Sequence, residues 1–319
     1  MAKTVLVFPG QGSQQLGMGK EFYEANNEAK AIFDLADKLF SEYHPNEEQK
    51  LSDLIFNGPE DKLNNTKYTQ VAILTLSMAL FNGLRNQINI TAFAGHSLGE
   101  FSALYAAGVL NEEAVLKLVI KRADLMSQAK KGAMSAVIGL SAEQIEQLCS
   151  SVEGAWIANY NSPDQIVCTG TIEGMQNLAE KITAFASANS LRARVIPLAV
   201  SGAFHSQLMQ EASTQFAAVL DATEFKNASF PVIQNIDAKG SIEAKELKEK
   251  LKLQMTGSVR WTHTVQEIFS MKAEQILEIG PGKVLAGLIK KQDKAANIIN
   301  IDNQATFVAF GPMKENAQV

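Results

Sequence analysis

The chain has 319 residues, of which 46% are hydrophobic and 20% charged, as is typical of a globular protein with one large or two moderate domains. Its formal net charge of -5 provides no basic surplus to neutralise phosphates, so bulk nucleic-acid binding is not expected. No apolar run is long enough to span a bilayer and the N-terminus has no signal-peptide core, so we expect a cytoplasmic protein with no membrane attachment.

Short apolar runs alternate with amphipathic ones, which predicts an α/β protein with a largely parallel sheet. Thr4–Phe8 is the first predicted strand, and apolar residues at helical spacing follow from Ala29 to Phe40. Val71–Phe81 is apolar on all sides, as a buried helix is. A strand over Ile88–Ala94 and a helix over Phe101–Ala107 come next. Later in the chain, the pattern predicts a further strand and helix, Gln275–Ile279 and Lys283–Lys290.

The segment from Met134 to Leu198 has a pattern of its own. Its predicted order β-α-β-β-α-β is typical of a ferredoxin-like subdomain. These elements are Met134–Ile138, Ala142–Leu148, Trp156–Asn159, Gln165–Thr169, Ile172–Phe185 and Ala193–Leu198. We therefore expect a discontinuous large subdomain over 1–132 and 200–306, an inserted small subdomain over 133–199, and a flexible tail over 307–319.

Residues Gly95–Gly99 have the pattern G-x-S-x-G between a predicted strand and a predicted helix, the context that a nucleophile elbow needs. The two glycines permit a tight turn that projects Ser97 from the sheet. The first N–H groups of the following helix point to where an oxyanion would form. The alternative is a glycine-rich turn in which Ser97 only caps the helix.

A nucleophilic serine needs a base, and the chain has four histidines. His205 directly follows the small subdomain, where a cleft between the two subdomains would open, and it is the candidate base. A structural, hydrogen-bonded histidine is the alternative. We expect His44 to be solvated, His96 to point away from its neighbour Ser97, and His263 to have a packing or surface role. No Asp or Glu stands out as a partner for the histidine, so we expect a catalytic dyad in which a backbone or side-chain carbonyl orients the imidazole.

Arg122 lies in the middle of an apolar helical stripe that includes Val119 and Met126. A buried arginine is costly unless an anion or dense hydrogen bonding meets it. Its planar guanidinium suits a carboxylate, which favours a site for an acidic substrate. The alternatives are a snorkelling side chain or pairing with a carboxylate of the protein itself.

Two glycine-rich turns do not qualify as nucleotide motifs. Gly10–Gly12 lacks the third glycine of a dinucleotide fingerprint, and Gly280–Val284 lacks the spacer and the Ser/Thr of a phosphate loop. Cys149 and Cys168 are flanked by apolar residues and are predicted to be buried free thiols. No Cys-x-x-Cys motif occurs, so no metal site is indicated.

These motifs together resemble the malonyl-CoA:acyl carrier protein transacylase family. Phe8–Gln14 is similar to its N-terminal signature, and Gly95–Gly99 followed by Glu100 to its active-site motif. The other matching features are the arginine 25 residues after the serine, the Ser-Gly-Ala-Phe-His-Ser block over 201–206, and Glu278–Gly282. The similarity extends from about Thr4 to Lys290.

The resemblance implies an α/β-hydrolase-like large subdomain with an inserted ferredoxin-like small subdomain. It implies that Ser97 is acylated while His205 acts first as base and then as acid. The backbone N–H groups of Gln11 and Leu98 would form the oxyanion hole.

The resemblance also implies a substrate and a partner. Arg122 would hold the free carboxylate of a malonyl group, and the main-chain carbonyl of Gln254 would orient the histidine. Malonyl-CoA would be the donor and the phosphopantetheine thiol of an acyl carrier protein the acceptor, in fatty-acid biosynthesis. No bound cofactor and no metal are needed, and a monomer is expected.

Two departures from the family pattern leave the pathway open. Ala203 replaces a common proline, in a block similar to that of malonyl-selecting polyketide acyltransferases, and Val71 replaces another proline. A free-standing polyketide acyltransferase is therefore an alternative function. A serine thioesterase or hydrolase is a second alternative. A non-catalytic docking or nucleotide-binding module is a third, further from the pattern of the motifs. A basic carrier-protein surface is expected at Lys130-Lys131, at Arg192 with Arg194, or at Lys290-Lys291. The alternative for each pair is an ordinary solvated face.

Overall fold

The computed structural model of the protein describes residues 2–200 and 202–315. Its strands are β1 (Lys3–Phe8), β2 (Asn89–Gly95), β3 (Ala133–Ile138), β4 (Ala155–Ser162), β5 (Gln165–Gly170), β6 (Arg194–Pro197), β7 (Val232–Ile233), β8 (Gly240–Ser241), β9 (Gln275–Ile279) and β10 (Ile298–Ile301). Its helices are α1 (Lys20–Ala25), α2 (Asn27–Tyr43), α3 (Leu51–Asn57), α4 (Glu60–Leu63), α5 (Thr66–Leu84), α6 (Gly99–Ala106), α7 (Glu112–Gln128), α8 (Ala142–Ser150), α9 (Ile172–Ala188), α10 (Gln210–Ala222), α11 (Ala244–Gln254), α12 (Trp261–Ser270), α13 (Val284–Gln292) and α14 (Gln304–Glu315). The predicted mixed α/β class is confirmed.

The larger sheet has the strand order β10-β9-β1-β2-β7-β8, parallel except for the antiparallel pair β7 and β8. Helices cover both faces, which is why the central strand β1 is a continuous apolar run. Leu6 and Phe8 face the core that contains α5 and α7, whereas Val5 and Val7 face the core formed with α12 and α13. Each of these four side chains is fully buried and contributes roughly 1.5–3 kcal/mol of hydrophobic stabilisation.

The smaller sheet is antiparallel, with the order β4-β5-β3-β6. Its elements follow one another as β3-α8-β4-β5-α9-β6, which is the predicted order. One face packs under α8 and α9, and Val137 and Ile166 belong to that core. The other face carries Met134 and Ala136, which join the core of the larger sheet. The two sheets therefore share an interface, and a cleft lies between them.

The expected flexible tail over 307–319 is wrong for its first residues. They belong to α14, in which Phe310 is buried and the ring of Phe307 lies 4.7 Å from that of Phe22. Two phenylalanines three residues apart share one helical face, and packing of that face offsets the entropy of ordering the segment. Residues 316–319 lie outside the described part of the chain, as does Ser201. Within the described ranges, no helix is long and apolar enough to cross a bilayer.

Candidate active site

The turn between β2 and α6 has the geometry of a nucleophile elbow. Ser97 has φ 50°, a left-handed conformation that non-glycine residues rarely adopt. A methyl group on Gly95 would overlap the backbone of Gly99, and one on Gly99 would overlap the carbonyl of Phe8. Both glycines are therefore required for strand, turn and helix to pack this closely. The turn places the serine at the carboxyl end of β2.

The structure brings Ser97 and His205 together: Ser97 Oγ lies 2.8 Å from His205 Nε2. His205 Nδ1 faces two carbonyl oxygens, Gln254 O at 3.0 Å and Gly257 O at 3.1 Å. Carbonyls only accept, so we assign the proton to Nδ1, which leaves Nε2 free to accept the serine hydroxyl. This is the tautomer that a general base needs.

The surroundings of His205 keep its ring neutral. Burial, followed by the positive charge of Arg122, lowers the pKa of His205 to about 3 from its ordinary value of 6.5. At neutral pH the imidazole is therefore available to take a proton.

Arg122 is buried on α7, with its guanidinium beside the serine. Its Nη1 donates to Gln70 Oε1 at 2.6 Å, and its Nη2 donates to Gln254 Oε1 at 3.0 Å and to Ser97 Oγ at 3.2 Å. Burial lowers the pKa of Arg122 to about 10, so it stays a cation at neutral pH. Among residues 2–200 and 202–315, no carboxylate forms an ion pair with it and its Nε has no acceptor. The nearby Glu100 carboxylate raises the pKa of Arg122 without forming an ion pair with it, so the guanidinium keeps a donor for an anionic ligand.

Gln11 and Leu98 lie on adjacent turns, because β1 and β2 are neighbours with Phe8 paired to Gly95. The first turn approaches so closely that a methyl group on Gly10 would overlap the carbonyl of His96. In the described part of the chain, neither the Gln11 nor the Leu98 backbone N–H has an acceptor. Two free N–H groups beside the serine are what an oxyanion hole requires.

The chain matches the family described as acyl transferase domain over residues 5–318. It is 40% identical to the malonyl CoA-acyl carrier protein transacylase of Bacillus subtilis (strain 168), covering 99% of this chain and 98% of that relative. It is 37% identical to the enzyme of that name from Staphylococcus aureus (strain MW2), over 94% of this chain and 96% of that one. The chain belongs to the malonyl-CoA:acyl carrier protein transacylase family.

Two solved structures are similar to this transacylase over nearly its whole length. The malonyl-CoA:ACP transacylase of Synechocystis sp. PCC 6803 has a TM-score of 0.87 and 36% identity, over 96% of this chain and 99% of that one. A malonyl-transacylase solved in complex with its type II polyketide acyl-carrier protein has a TM-score of 0.88 and 35% identity, over 96% and 98%.

Sequence reasoning missed four residues that hold the transacylase site together. Gly257 supplies the second carbonyl to His205, and Gln70 satisfies one end of the Arg122 guanidinium. Gln234 and Asn235 contact the carboxylate of Glu100 at the start of α6. The last two follow the apolar pair Val232-Ile233, and polar residues directly after a short apolar run are a signal of the carboxyl edge of a sheet.

The other histidines do not contact the serine hydroxyl. His96 points away as expected, with Nε2 2.9 Å from Asn161 Oδ1. The expectation of a solvated His44 is wrong, because its ring is largely buried and Nε2 lies 2.9 Å from Asp124 Oδ1. His263 is exposed and packs edge-on against Tyr160, which agrees with the expected packing or surface role.

A cavity of about 550 Å³ reaches His205 from the cleft between the two sheets. Ser206 and Thr256 line it on the side of the larger sheet, and Trp156 and Tyr160 line it on the other. Of the candidate catalytic residues, His205 is the one that lines this cavity, so the cavity leads to the base of the site. Cys149, also at this cavity, and Cys168 are free thiols, as predicted. In the part of the chain that the structure describes, no cluster of His, Cys, Asp or Glu could hold a metal ion.

Proposed function

We propose that this enzyme transfers a malonyl group from malonyl-CoA to the phosphopantetheine thiol of an acyl carrier protein through a malonyl ester on Ser97. One observation carries the proposal: the Ser97 hydroxyl lies within hydrogen-bond distance of both a neutral imidazole and a buried guanidinium. The first activates the oxygen, and the second suits the free carboxylate of a short diacid. The names of the relatives and the carrier-protein complex of the similar transacylase support the same substrate and partner.

In the first half-reaction, Ser97 Oγ attacks the thioester carbonyl while His205 Nε2 accepts the hydroxyl proton. The carbonyl oxygen becomes negative and is stabilised by the N–H groups of Gln11 and Leu98, each worth about 10²–10³ in rate. The C–S bond then breaks, and the CoA sulfur leaves with the proton from His205. The carbonyls of Gln254 and Gly257 hold the imidazole and favour its protonated state during the reaction.

In the second half-reaction, the carrier-protein thiol gives its proton to His205 and attacks the malonyl ester. The C–O bond breaks, Ser97 recovers its proton, and the malonyl thioester of the carrier protein is released.

Arg122 selects the acyl group. One methylene separates the malonyl carboxylate from the reacting carbonyl, so a cation that binds it must lie close to the nucleophile. The Nη2 group at 3.2 Å from Ser97 Oγ meets this condition. Nε, for which the described residues supply no acceptor, offers a further donor for a bidentate contact.

The sheet topologies support the finer fold assignment. We assign the large subdomain, 1–132 and 200–306, to the α/β-hydrolase-like class, and residues 133–199 to an inserted ferredoxin-like subdomain. The parallel order of the larger sheet and the β-α-β-β-α-β order of the smaller one are the supporting observations. A monomer, with no bound cofactor, is part of the same proposal.

The pathway is proposed to be fatty-acid biosynthesis. A similar transacylase serves a type II polyketide carrier protein, so a free-standing polyketide acyltransferase is the second candidate. Transfer rates to carrier proteins of the two pathways, measured with one enzyme preparation, distinguish them.

Carrier-protein docking is proposed at the exposed cations near β3 and β6. Lys130, Lys131, Arg192 and Arg194 are exposed, and within residues 2–200 and 202–315 none of them has an ion-pair partner. Lys291, by contrast, already contacts Asp164.

Intact-mass analysis after mixing with malonyl-CoA tests the proposed intermediate. Wild type should gain one malonyl group that holo-acyl carrier protein removes, whereas Ser97→Ala should gain none. A malonyl adduct on the Ser97→Ala protein would refute the proposal. Release of free malonate at an equal rate without carrier protein would identify a hydrolase instead.

A further inference from the structure

Asn235 lies beside the nucleophile elbow although it is far from Ser97 in sequence. It follows β7, and β7 pairs in parallel with the end of β2, with Ile233 opposite Ala94. The residue is 1% exposed. The parallel pairing of β7 with β2 places its side chain beside the turn that carries Ser97.

The Asn235 amide binds the backbone on both sides of His96. Its Oδ1 accepts from the Ser97 N–H at 2.7 Å, and its Nδ2 donates to the Gly95 carbonyl at 2.6 Å. Ser97 has the left-handed backbone conformation, which costs about 1–3 kcal/mol and persists only where surrounding contacts enforce it. The amide supplies two such contacts.

Two hydrogen bonds of its backbone groups hold Asn235 in place. Its N–H donates to Glu100 Oε2 at 2.9 Å, and its carbonyl accepts from the Arg260 N–H at 3.0 Å. The Glu100 carboxylate also accepts from Gln254 Nε2 at 3.1 Å. Gln254 is the residue whose carbonyl holds the histidine, so one buried network connects the serine turn to the base.

We infer that Asn235 is a positioning residue that aims the Ser97 hydroxyl at His205 and at the oxyanion site. The assignment rests on the proposed nucleophilic role of Ser97. Because Asn235 occupies the Ser97 N–H, that group is not available to an oxyanion, which leaves the hole to Leu98 and Gln11. Loss of the amide frees the turn to relax, and misplacement of a reacting group by about 1 Å costs on the order of 100-fold in rate.

The test uses the full-length enzyme and two readouts. The first is the second-order rate at which a tagged fluorophosphonate labels Ser97, which depends on serine geometry and requires no malonyl binding. The second is kcat and KM for malonyl transfer. Asn235→Ala should slow labelling and kcat by about tenfold or more, with the KM for malonyl-CoA within about twofold.

Asn235→Asp is a near-isosteric variant that can form both hydrogen bonds of the amide only when its carboxyl group is protonated. As a carboxylate it cannot donate to the Gly95 carbonyl, so labelling should be slow at neutral pH. As a neutral acid it donates with its O–H and accepts with its C=O, as the amide does. Burial and the Glu100 carboxylate, which accepts from the N–H of residue 235, raise the pKa of the introduced carboxyl, whereas burial lowers the pKa of His205 and of His96. The ratio of variant to wild-type labelling should therefore rise as the pH falls.

Asn300→Ala is the matched control. Its Nδ2 donates to the Gly282 carbonyl at 2.7 Å, at β10 in the same sheet and apart from the serine turn. The Asn300→Ala enzyme should be less stable than wild type, but the fluorophosphonate should label its Ser97 at the wild-type rate. A folded Asn235→Ala enzyme with wild-type labelling and kcat, or a flat pH ratio for Asn235→Asp, would overturn the assignment. If the wild type reacts with the probe but not with malonyl-CoA, the proposed function fails and the labelling test of Asn235 stands.

Discussion

Arg122 combines three properties that together define its chemistry: it is buried, it is charged, and neutral oxygens satisfy it. Gln70 and Gln254 hold two of its nitrogens, so the guanidinium is oriented before a ligand arrives. A carboxylate that enters would add an opposite charge to a cation whose hydrogen bonds go to neutral oxygens, with Nε as a donor that no described residue occupies. Such a contact would account for the proposed selectivity for a diacid.

Arg122→Ala should lower kcat/KM for malonyl-CoA by at least about 100-fold, because a charged hydrogen-bonded partner of the substrate is lost. Acetyl transfer should hold or rise, since acetyl has no carboxylate. Steady-state rates with both thioesters measure the effect. Lys117→Ala, an exposed position on the same helix, serves as the control. Equal losses for the two substrates would mean that Arg122 is only structural.

His205 also carries a stability consequence. Its folded-state pKa is about 3 and its ordinary value is 6.5, so the unfolded chain takes up a proton that the folded protein does not as the pH falls through this window. The buried neutral imidazole therefore destabilises the fold progressively below pH 6.5, by at most about 1.4 kcal/mol per pH unit.

His205→Gln should remove this acid sensitivity. When the pH falls from 7 to 4.5, the unfolding free energy of wild type should drop by about 2 kcal/mol more than that of the variant. Denaturant titrations at several pH values measure the difference, and other titrating groups cancel because both proteins share them. Parallel pH curves for the two proteins would contradict the depressed pKa.

At the scale of elements, the site depends on how closely β1, the serine turn and α6 approach one another. Gly99 starts α6 directly against the carbonyl of Phe8, where no other side chain fits. The helix is placed there because its buried face, with Phe101 and Leu104, packs into the core beside the sheet. The backbone contact therefore follows from packing of the whole helix.

Gly99→Ala should lower stability by about 2 kcal/mol or more, because the added methyl overlaps backbone that cannot move aside. Fluorophosphonate labelling should fall with it, since the turn must shift. Gly287→Ala on α13 is the control, because its added methyl meets open space and should stabilise that helix by about 0.5–1 kcal/mol. Chemical denaturation of both variants provides the measurement. Similar stabilities of the two variants would mean that the turn tolerates a wider spacing between α6 and β1.

Periodicity predicted the elements that are long enough to show it. The runs from Thr4 to Phe8 and from Val71 to Phe81 lie within β1 and α5, and each element of the small sheet appears in its predicted order. The strand β7 has only two residues, too few to show any period. Asn235 was missed for this reason, because its place beside the serine depends on the pairing of β7 with β2.

For the whole molecule, the site is assembled from segments that are distant in the chain. Gln11, Ser97 and Arg122 come from the first part, whereas His205 and Gln254 follow the small sheet. Residue patterns indicated Ser97, Arg122 and His205, and the family resemblance added Gln11 and Gln254. The contacts of Gln70 and Gly257 depend on tertiary packing that no local pattern encodes. The parallel strands β1 and β2 end side by side and place the serine turn there, and His205, Arg122 and Gln254 each form a hydrogen bond with Ser97.

The most direct test offers the wild-type enzyme an equal mixture of malonyl-CoA and acetyl-CoA and maps the acylated peptide by tandem mass spectrometry. The expected result is a malonyl group on Ser97 as the dominant product. Comparable acetyl and malonyl occupancy of that serine, or acylation of a different residue, would contradict the account.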